Sequence, residues 1–181
     1  MSNPSSEAPR LRADAARNRE RLIEAAKEVF GEAGATASLE AVARRAGVGI
    51  GTLYRHFESR EALVGAVYQR EIDRLVEAAE RGSPDGPRAA IRAWLHLFVD
   101  YIAAKKVLVS AMSQAPSSLE AIMGAVKVLL DRAIEAGEVR ADLRPEDLMH
   151  ALAGLAYAHD RAGWRESALR LIDVFVAGLA P

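Results

Sequence analysis

The stretch Ser38–Leu63, SLEAVARRAGVGIGTLYRHFESREAL, decides the fold. Leu39, Val42, Ala43 and Ala46 recur at i, i+3, i+4 and i+7, one face of an α-helix. Ser38 stands directly in front, a residue type that caps helix N-termini. Gly47 breaks the run where the chain must turn, because a left-handed backbone is cheap only without a Cβ. Val48, Leu53 and Phe57 then supply the buried side of a second short helix. Small Ala43, Gly47 and aliphatic Leu53 suit two helices crossing at roughly 90–120°. This spacing predicts a helix-turn-helix, whose second helix enters the major groove of DNA by its N-terminal half.

Beyond Gly47 the sequence is more particular. The run Gly-Val-Gly-Ile-Gly-Thr-Leu-Tyr-Arg-His-Phe, followed by Glu58-Ser59-Arg60-Glu61-Ala62-Leu63, resembles the N-terminal domain of TetR-family one-component regulators. Members of that family usually carry Ala-Gly-Val-Ser, then Gly-x-x-Tyr-x-His/Tyr-Phe, then Ser/Asn-Lys-Glu-x-Leu. Ala46, Gly47, Val48, Gly51, Tyr54, His56, Phe57, Ser59, Glu61 and Leu63 match. Gly49 stands where serine is commonest, and Arg60 where lysine is. Upstream, the runs from Arg19 to Ala26 and from Phe30 to Gly34 look like the family's first helix. Downstream, the run from Gly137 to Leu143 resembles a segment many members share.

Composition narrows the alternatives. Half of the 181 residues are apolar, enough to bury a core. No run approaches the roughly 18–20 consecutive apolar residues of a membrane helix. The N-terminus lacks a basic-then-apolar signal. With no cysteine there is no disulfide framework or thiolate site, so a cytoplasmic protein is expected. Net charge is −1, so any basic surface must be local. Between Ser38 and Arg60, four arginines (Arg44, Arg45, Arg55, Arg60) face only Glu40 and Glu58. Arg10, Arg12, Arg17, Arg19 and Arg21 add to this near the N-terminus, against Glu7, Asp14 and Glu20.

Period-2 alternation is missing throughout, so the expected fold is all-α, with about nine helices. Residues 1–12, rich in Ser and Pro, read as a disordered arm. A first helix is expected from Asp14, its N-cap, to Ala33, and residues 13–58 form the helix-turn-helix domain. A connecting helix follows over 59–81, with Ser59 as cap. The run from Gly82 to Pro87 is the clearest break, and residues 82–181 form a second helical domain. Its expected pieces are a helix from Pro87 to Lys105-Lys106, a short apolar segment Val107–Met112, and helices over 119–136, from Pro145, and over 165–179.

Within the second short helix, Arg55 is the candidate for direct base reading, since a guanidinium grips guanine O6 and N7 bidentately. Ile50 reaches only thymine methyls, and Thr52 reaches a base or a phosphate. Gly49 and Gly51 offer no side chain and leave room for close backbone approach, at some cost in helix propensity. The family resemblance implies phosphate contacts for Tyr54 and His56. It also points to Ser38 and Arg60, at helix N-termini that favour anions. For Tyr54, packing of the ring in the small core is the competing reading.

The resemblance further implies an effector-binding and dimerisation domain after residue 82. Leu152, Leu155, Leu169, Ile172, Phe175 and Val176, on the last two helices, are the candidates for the dimer interface. Trp94, Phe98, Tyr101, Met112, Met123, Val126, Leu130, His150 and Tyr157 mix bulky apolar surface with a few polar tips, as a small-molecule cavity does. Burial within one chain competes for every one of them. The implied partners are operator DNA, an unidentified small-molecule effector and a second copy of the chain, without cofactor, metal or catalysis. The sharpest rival is a small helical ligand- or metal-binding protein or enzyme with a degenerate DNA-binding domain. His96 and Asp100 share a helix face, and His150, His159 and Asp160 share another helix.

Overall fold

The computed structural model describes residues 7–34, 37–109, 118–157 and 161–181. Among them are eight α-helices and no strand: α1 (Glu7–Ala33), α2 (Leu39–Ala46), α3 (Ile50–His56), α4 (Arg60–Arg81), α5 (Pro87–Val109), α6 (Leu119–Glu135), α7 (Pro145–Tyr157) and α8 (Trp164–Ala177). No described helix is long and apolar enough to cross a membrane. Two compact units divide the chain. The first runs to Arg70 and takes in the end of α5 from Lys106, and the second begins at Glu71. Helix α4 therefore contributes its first half to one unit and its second half to the other.

In the first unit, α1 buries Leu22, Ile23, Ala26, Val29 and Phe30, and α4 buries Leu63, Val64, Val67 and Tyr68. Against them sit Leu39, Val42, Ala43 and Ala46 of α2, all at most 8% exposed, and Leu53 of α3 at 0%. In the second unit, Leu75 and Ala79 of α4 belong to a core with α5 (Ile91, Trp94, Leu95, Phe98), α6 (Val126, Leu129, Leu130), α7 (Leu148, Leu152) and α8 (Ile172, Val176). Two ion-pair ties join α5 to α8: Arg92 grips both oxygens of Asp173 at 2.7 and 3.0 Å, and Arg165 holds Asp100 at 2.7 Å. The α5 N-terminus is capped from far along the chain. The backbone N–H of Arg88 donates to Glu138 Oε2 at 2.8 Å, and Gly86, at φ 105°, gives that carboxylate room.

Two expectations change. Helix α1 begins at Glu7, so the expected arm over residues 1–12 is helical from that point, and Asp14 lies inside the helix as an ion-pair partner of Arg17. Alanines 13, 15 and 16 and the flanking arginines are strong helix formers, and Pro9 falls in the first turn, where its missing N–H costs nothing. Helix α5 runs through Lys105-Lys106 to Val109, because lysine continues a helix as readily as it ends one. The expected separate segment Val107–Met112 is thus partly the end of α5, and residues 110–112 lie outside the described ones.

Candidate nucleic-acid interface

Helices α2 and α3 meet through a turn that only glycine fits. Gly47 adopts φ 67° and ψ 35°, its N–H donates to Arg44 O at 3.1 Å, and the N–H of Val48 donates to Ala43 O at 3.0 Å. An added Cβ would sit 2.7 Å from the Arg21 guanidinium, besides the strain of a left-handed backbone. Leu53 and Phe57 fasten α3 inward, and Arg19 covers the Phe57 ring at 5.3 Å.

What α3 does not bury is its functional face. Gly49, Ile50, Gly51, Tyr54 and Arg55 are exposed, while Thr52 and His56 are half-buried. Tyr54 is 50% exposed, so its ring is not part of the core. No hydrogen bond or ion pair holds the Arg55 guanidinium among the described residues. Ser38 caps α2, its Oγ accepting from the Ala41 N–H at 3.1 Å, yet it stays exposed. Ser59 caps α4 in the same way, on the Ala62 N–H. Arg60 lies over the Phe30 ring at 5.8 Å, half-buried, so part of its side chain packs against the unit's own core.

The local basic surplus is smaller than a count of residues suggests. Arg45 is committed to α1, pairing with Glu28 at 2.7 Å and Glu32 at 3.0 Å. Hydrogen bonds donated to Glu32 and then Glu28 hold its pKa above the ordinary arginine value. Arg44, on the same last turn of α2, is exposed with no such partner among the described residues, and it was not among the expected DNA contacts. The two carboxylates that hold Arg45 sit one turn apart on α1.

Comparison with known proteins decides what this geometry belongs to. Residues 22–67 match the family model of bacterial regulatory proteins of the tetR family, and residues 86–181 match that of the C-terminal domain of SbtR-like transcriptional regulators. A TetR transcriptional regulator from Streptomyces coelicolor is 41% identical, covering 90% of this chain and 98% of its own, with a TM-score of 0.77. The chain belongs to the TetR family of transcriptional regulators. A TetR-family protein from Mycobacterium vanbaalenii is 34% identical over 94% of this chain and 99% of its own, with a TM-score of 0.78. An HTH-type transcriptional regulator from Staphylococcus aureus is 42% identical over 64 residues, which span 35% of each chain.

In this TetR-family chain the second unit treats its two sets of candidate residues differently. Trp94 stacks on Phe98 with ring centroids 5.5 Å apart, and Phe98 meets Tyr101 at 5.6 Å. The Trp94 indole N–H donates to Leu75 O at 2.8 Å, and the Tyr101 and Ser118 hydroxyls are 2.9 Å apart. These three aromatics, Val126 and Leu130 are at most 5% exposed. Met123 is half-buried, His150 is exposed and Tyr157 is 92% exposed, while Met112 lies outside the described residues. None of the eight that are described lines any of the three described cavities.

Four of the six interface candidates do come together. Leu152, Leu155, Ile172 and Phe175 line one groove of about 230 Å³, with Leu95, Ala151 and Leu171. Leu169 is half-buried, and Val176 is core at 5% exposure. Leu171 (54% exposed) and Val174 (71%) had not been singled out. They form a second apolar stripe on α8, beside the buried stripe of Ala168, Ile172 and Val176. Leu171 also borders a groove of about 270 Å³ with Leu155 and Trp164, whose indole N–H donates to Leu155 O at 2.6 Å.

Two residues of the metal-binding rival are occupied otherwise. His96 Nε2 lies 2.9 Å from Asp173, and Asp100 is held by Arg165. His159 and Asp160 lie outside the described residues. Among the described residues no group of three or more His, Asp or Glu side chains could hold a metal ion.

Proposed function

We propose that this chain is a homodimeric repressor that binds operator DNA through α3 and is released by a small-molecule effector bound in the second unit. The observation that carries the reading is the outward face of α3, where Ile50, Tyr54 and Arg55, which has no partner among the described residues, are presented by a seven-residue helix. Arg55 reads a guanine edge and Ile50 a thymine methyl. Thr52, Tyr54, His56, the exposed Ser38 cap and Arg60 contact the backbone, with Gly49 and Gly51 letting the helix approach closely. Phosphate contacts fix the register, and base contacts specify the sequence.

A single α3 covers one half-site, so a second copy is needed to read two half-sites about 34–36 Å apart. The exposed α8 stripe of Leu171 and Val174, with the groove of Leu152, Leu155, Ile172 and Phe175 beside it, supports an interface built from α7 and α8. Effector binding is assigned to the aromatic cluster of Trp94, Phe98 and Tyr101, with Met123, Val126 and Leu130. The chain works where the DNA is, in the cytoplasm, and carries no catalytic step.

Release requires the effector to bind one dimer geometry better than another, a coupling of about 1–3 kcal/mol, or roughly 5–150-fold in operator affinity. The test is an operator titration at fixed salt across a panel of small apolar ligands, with ligand binding followed by Trp94 fluorescence in a Trp164→Phe background, since the chain has two tryptophans. A ligand that perturbs Trp94 is expected to weaken operator binding within that range. Ligands that saturate the second unit and leave DNA affinity unchanged contradict the mechanism.

A further inference from the structure

We infer that Arg21, on α1, is a DNA-backbone contact: its guanidinium rests on the Gly47 turn, where it meets a phosphate at the edge of the groove that α3 enters. The inference rests on the proposal that α3 binds DNA. A Cβ built on Gly47 would lie 2.7 Å from Arg21 Nη2, so the guanidinium sits against the backbone of the turn. Arg21 is nonetheless exposed, and among the described residues no hydrogen bond or ion pair holds it. The arginines around it are engaged: Arg17 pairs with Asp14, Arg19 lies over the Phe57 ring, and Arg45 is held by Glu28 and Glu32. Glu20, the adjacent carboxylate in sequence, lies 3.9 Å from both Arg19 and Arg70. A cation that the fold places but does not neutralise is set for an anion from outside.

The turn says which anion. Gly47 ends α2, and Gly49 is the N-cap of α3. Extended chain covers at most about 3.6 Å per residue, which keeps the Gly47 Cα within about 11 Å of the Ile50 Cα. The major groove is about 12 Å wide, with a phosphate strand along each edge. In a helix-turn-helix the second helix enters that groove by its N-terminal end, while the first crosses the backbone. The turn that joins them therefore runs beside a phosphate strand, and α1 lays the Arg21 guanidinium on this turn. Exposed Arg44, three residues before Gly47, adds a second cation with no partner among the described residues, and Val48 and Gly49 bring no charge. A phosphate contact fixes register and orientation without reading sequence. Arg21 thus complements the base-reading face of α3.

The experiment measures binding of the full-length protein to a selected operator and to an unrelated duplex of equal length, across a salt series. Wild type is compared with Arg21→Gln, Arg21→Lys and Arg88→Gln. Arg88 is an exposed arginine of the second unit, so its variant makes the same change in net charge away from the turn. Arg21→Gln is expected to weaken binding to both duplexes, by about fivefold per protomer at about 0.15 M salt. The slope of log affinity against log salt should shrink by about 0.9 per protomer. Base preferences should stay those of wild type, and the thermal midpoint should move by no more than about 2 °C. Arg21→Lys, which keeps the charge, should recover most of the slope, and Arg88→Gln should leave it near that of wild type. An unchanged slope for Arg21→Gln would overturn the inference, as would a loss confined to one base pair or an equal effect of Arg88→Gln. A binding loss that follows a fall in the midpoint would make Arg21 a structural residue and overturn it too. If wild type binds neither duplex, the DNA-binding reading itself fails, an outcome distinguishable from a failure confined to Arg21.

Discussion

Tyr54 and Tyr101 are the same residue in two different settings. Tyr101 is 2% exposed, its ring tilted against Phe98, with its hydroxyl bonded to Ser118 inside the second unit. Tyr54 is 50% exposed on a seven-residue helix whose core is served by Leu53 and Phe57. A long helix such as α5 packs against several others and uses each aromatic it carries. A helix of two turns needs only one buried stripe, so anything bulky on its other side is there for something else. Exposed apolar and unpaired cationic groups on α3 therefore report a partner, whereas aromatics on α5 report packing first and any ligand second.

The sharpest way to break this contrast is to truncate one aromatic from each region. Trp94→Ala should cost about 3–5 kcal/mol of folding stability and leave the Leu75 carbonyl without its donor, as read by denaturant unfolding. Tyr54→Ala should change stability by no more than about 0.5 kcal/mol while weakening DNA binding. Comparable stability losses at both sites would dissolve the distinction. Next in size, Arg55→Ala should cost about 1–3 kcal/mol in operator binding, concentrated at one base pair, with the melting temperature unchanged. A loss spread evenly over all sequences would instead make Arg55 a phosphate contact.

Gly47→Ala should destabilise the first unit by about 1–2 kcal/mol through left-handed strain, with the tip of the Arg21 side chain shifting to make room. Gly124→Ala, at an exposed position of α6 with open space around its Cβ, should stabilise the protein by roughly 0.4–1 kcal/mol and leave DNA binding alone. Paired with Gly51→Ala, it separates a glycine that faces solvent from one that faces a partner.

The smallest effect concerns acid. Arg92, through its hydrogen bonds, holds the Asp173 carboxyl below the ordinary carboxylate range, with His96 assisting and burial opposing. A carboxyl whose folded value is depressed contributes fully above its unfolded value, near pH 4, and loses that contribution as pH falls through the folded one. Asp173→Asn should accordingly flatten the acid limb of stability, measured as thermal midpoints at pH 5 and pH 3.

The two regions also differed in how much the sequence could disclose. The helix-turn-helix is built from contacts a few residues apart, so the Leu39–Ala46 stripe, Gly47 and Leu53 could be read directly. Pro87 and Pro145 marked the starts of α5 and α7 for the same local reason. Longer-range features were hidden. Nothing near Pro87 announces that Glu138 caps α5 from 50 residues away, nor does anything beside Arg45 reveal that Glu28 and Glu32 claim it. Helix α8 carries two apolar stripes, and which one faces the chain's own core depends on where α5 and α7 lie. Ile172 and Val176 were found on one, while exposed Leu171 and Val174 on the other were missed. Pocket and core residues share one chemistry, so Trp94, Phe98 and Tyr101 could not be sorted by type.

The central claim is that the outward face of α3 reads DNA as part of a two-fold dimer. Selection of bound sequences from a random duplex pool, at a stated salt concentration, tests it most directly. The account predicts an enriched near-palindrome whose half-sites lie about one helical turn apart, and whose preference at one position disappears with Arg55→Ala. A folded, dimeric protein that enriches no sequence would contradict it.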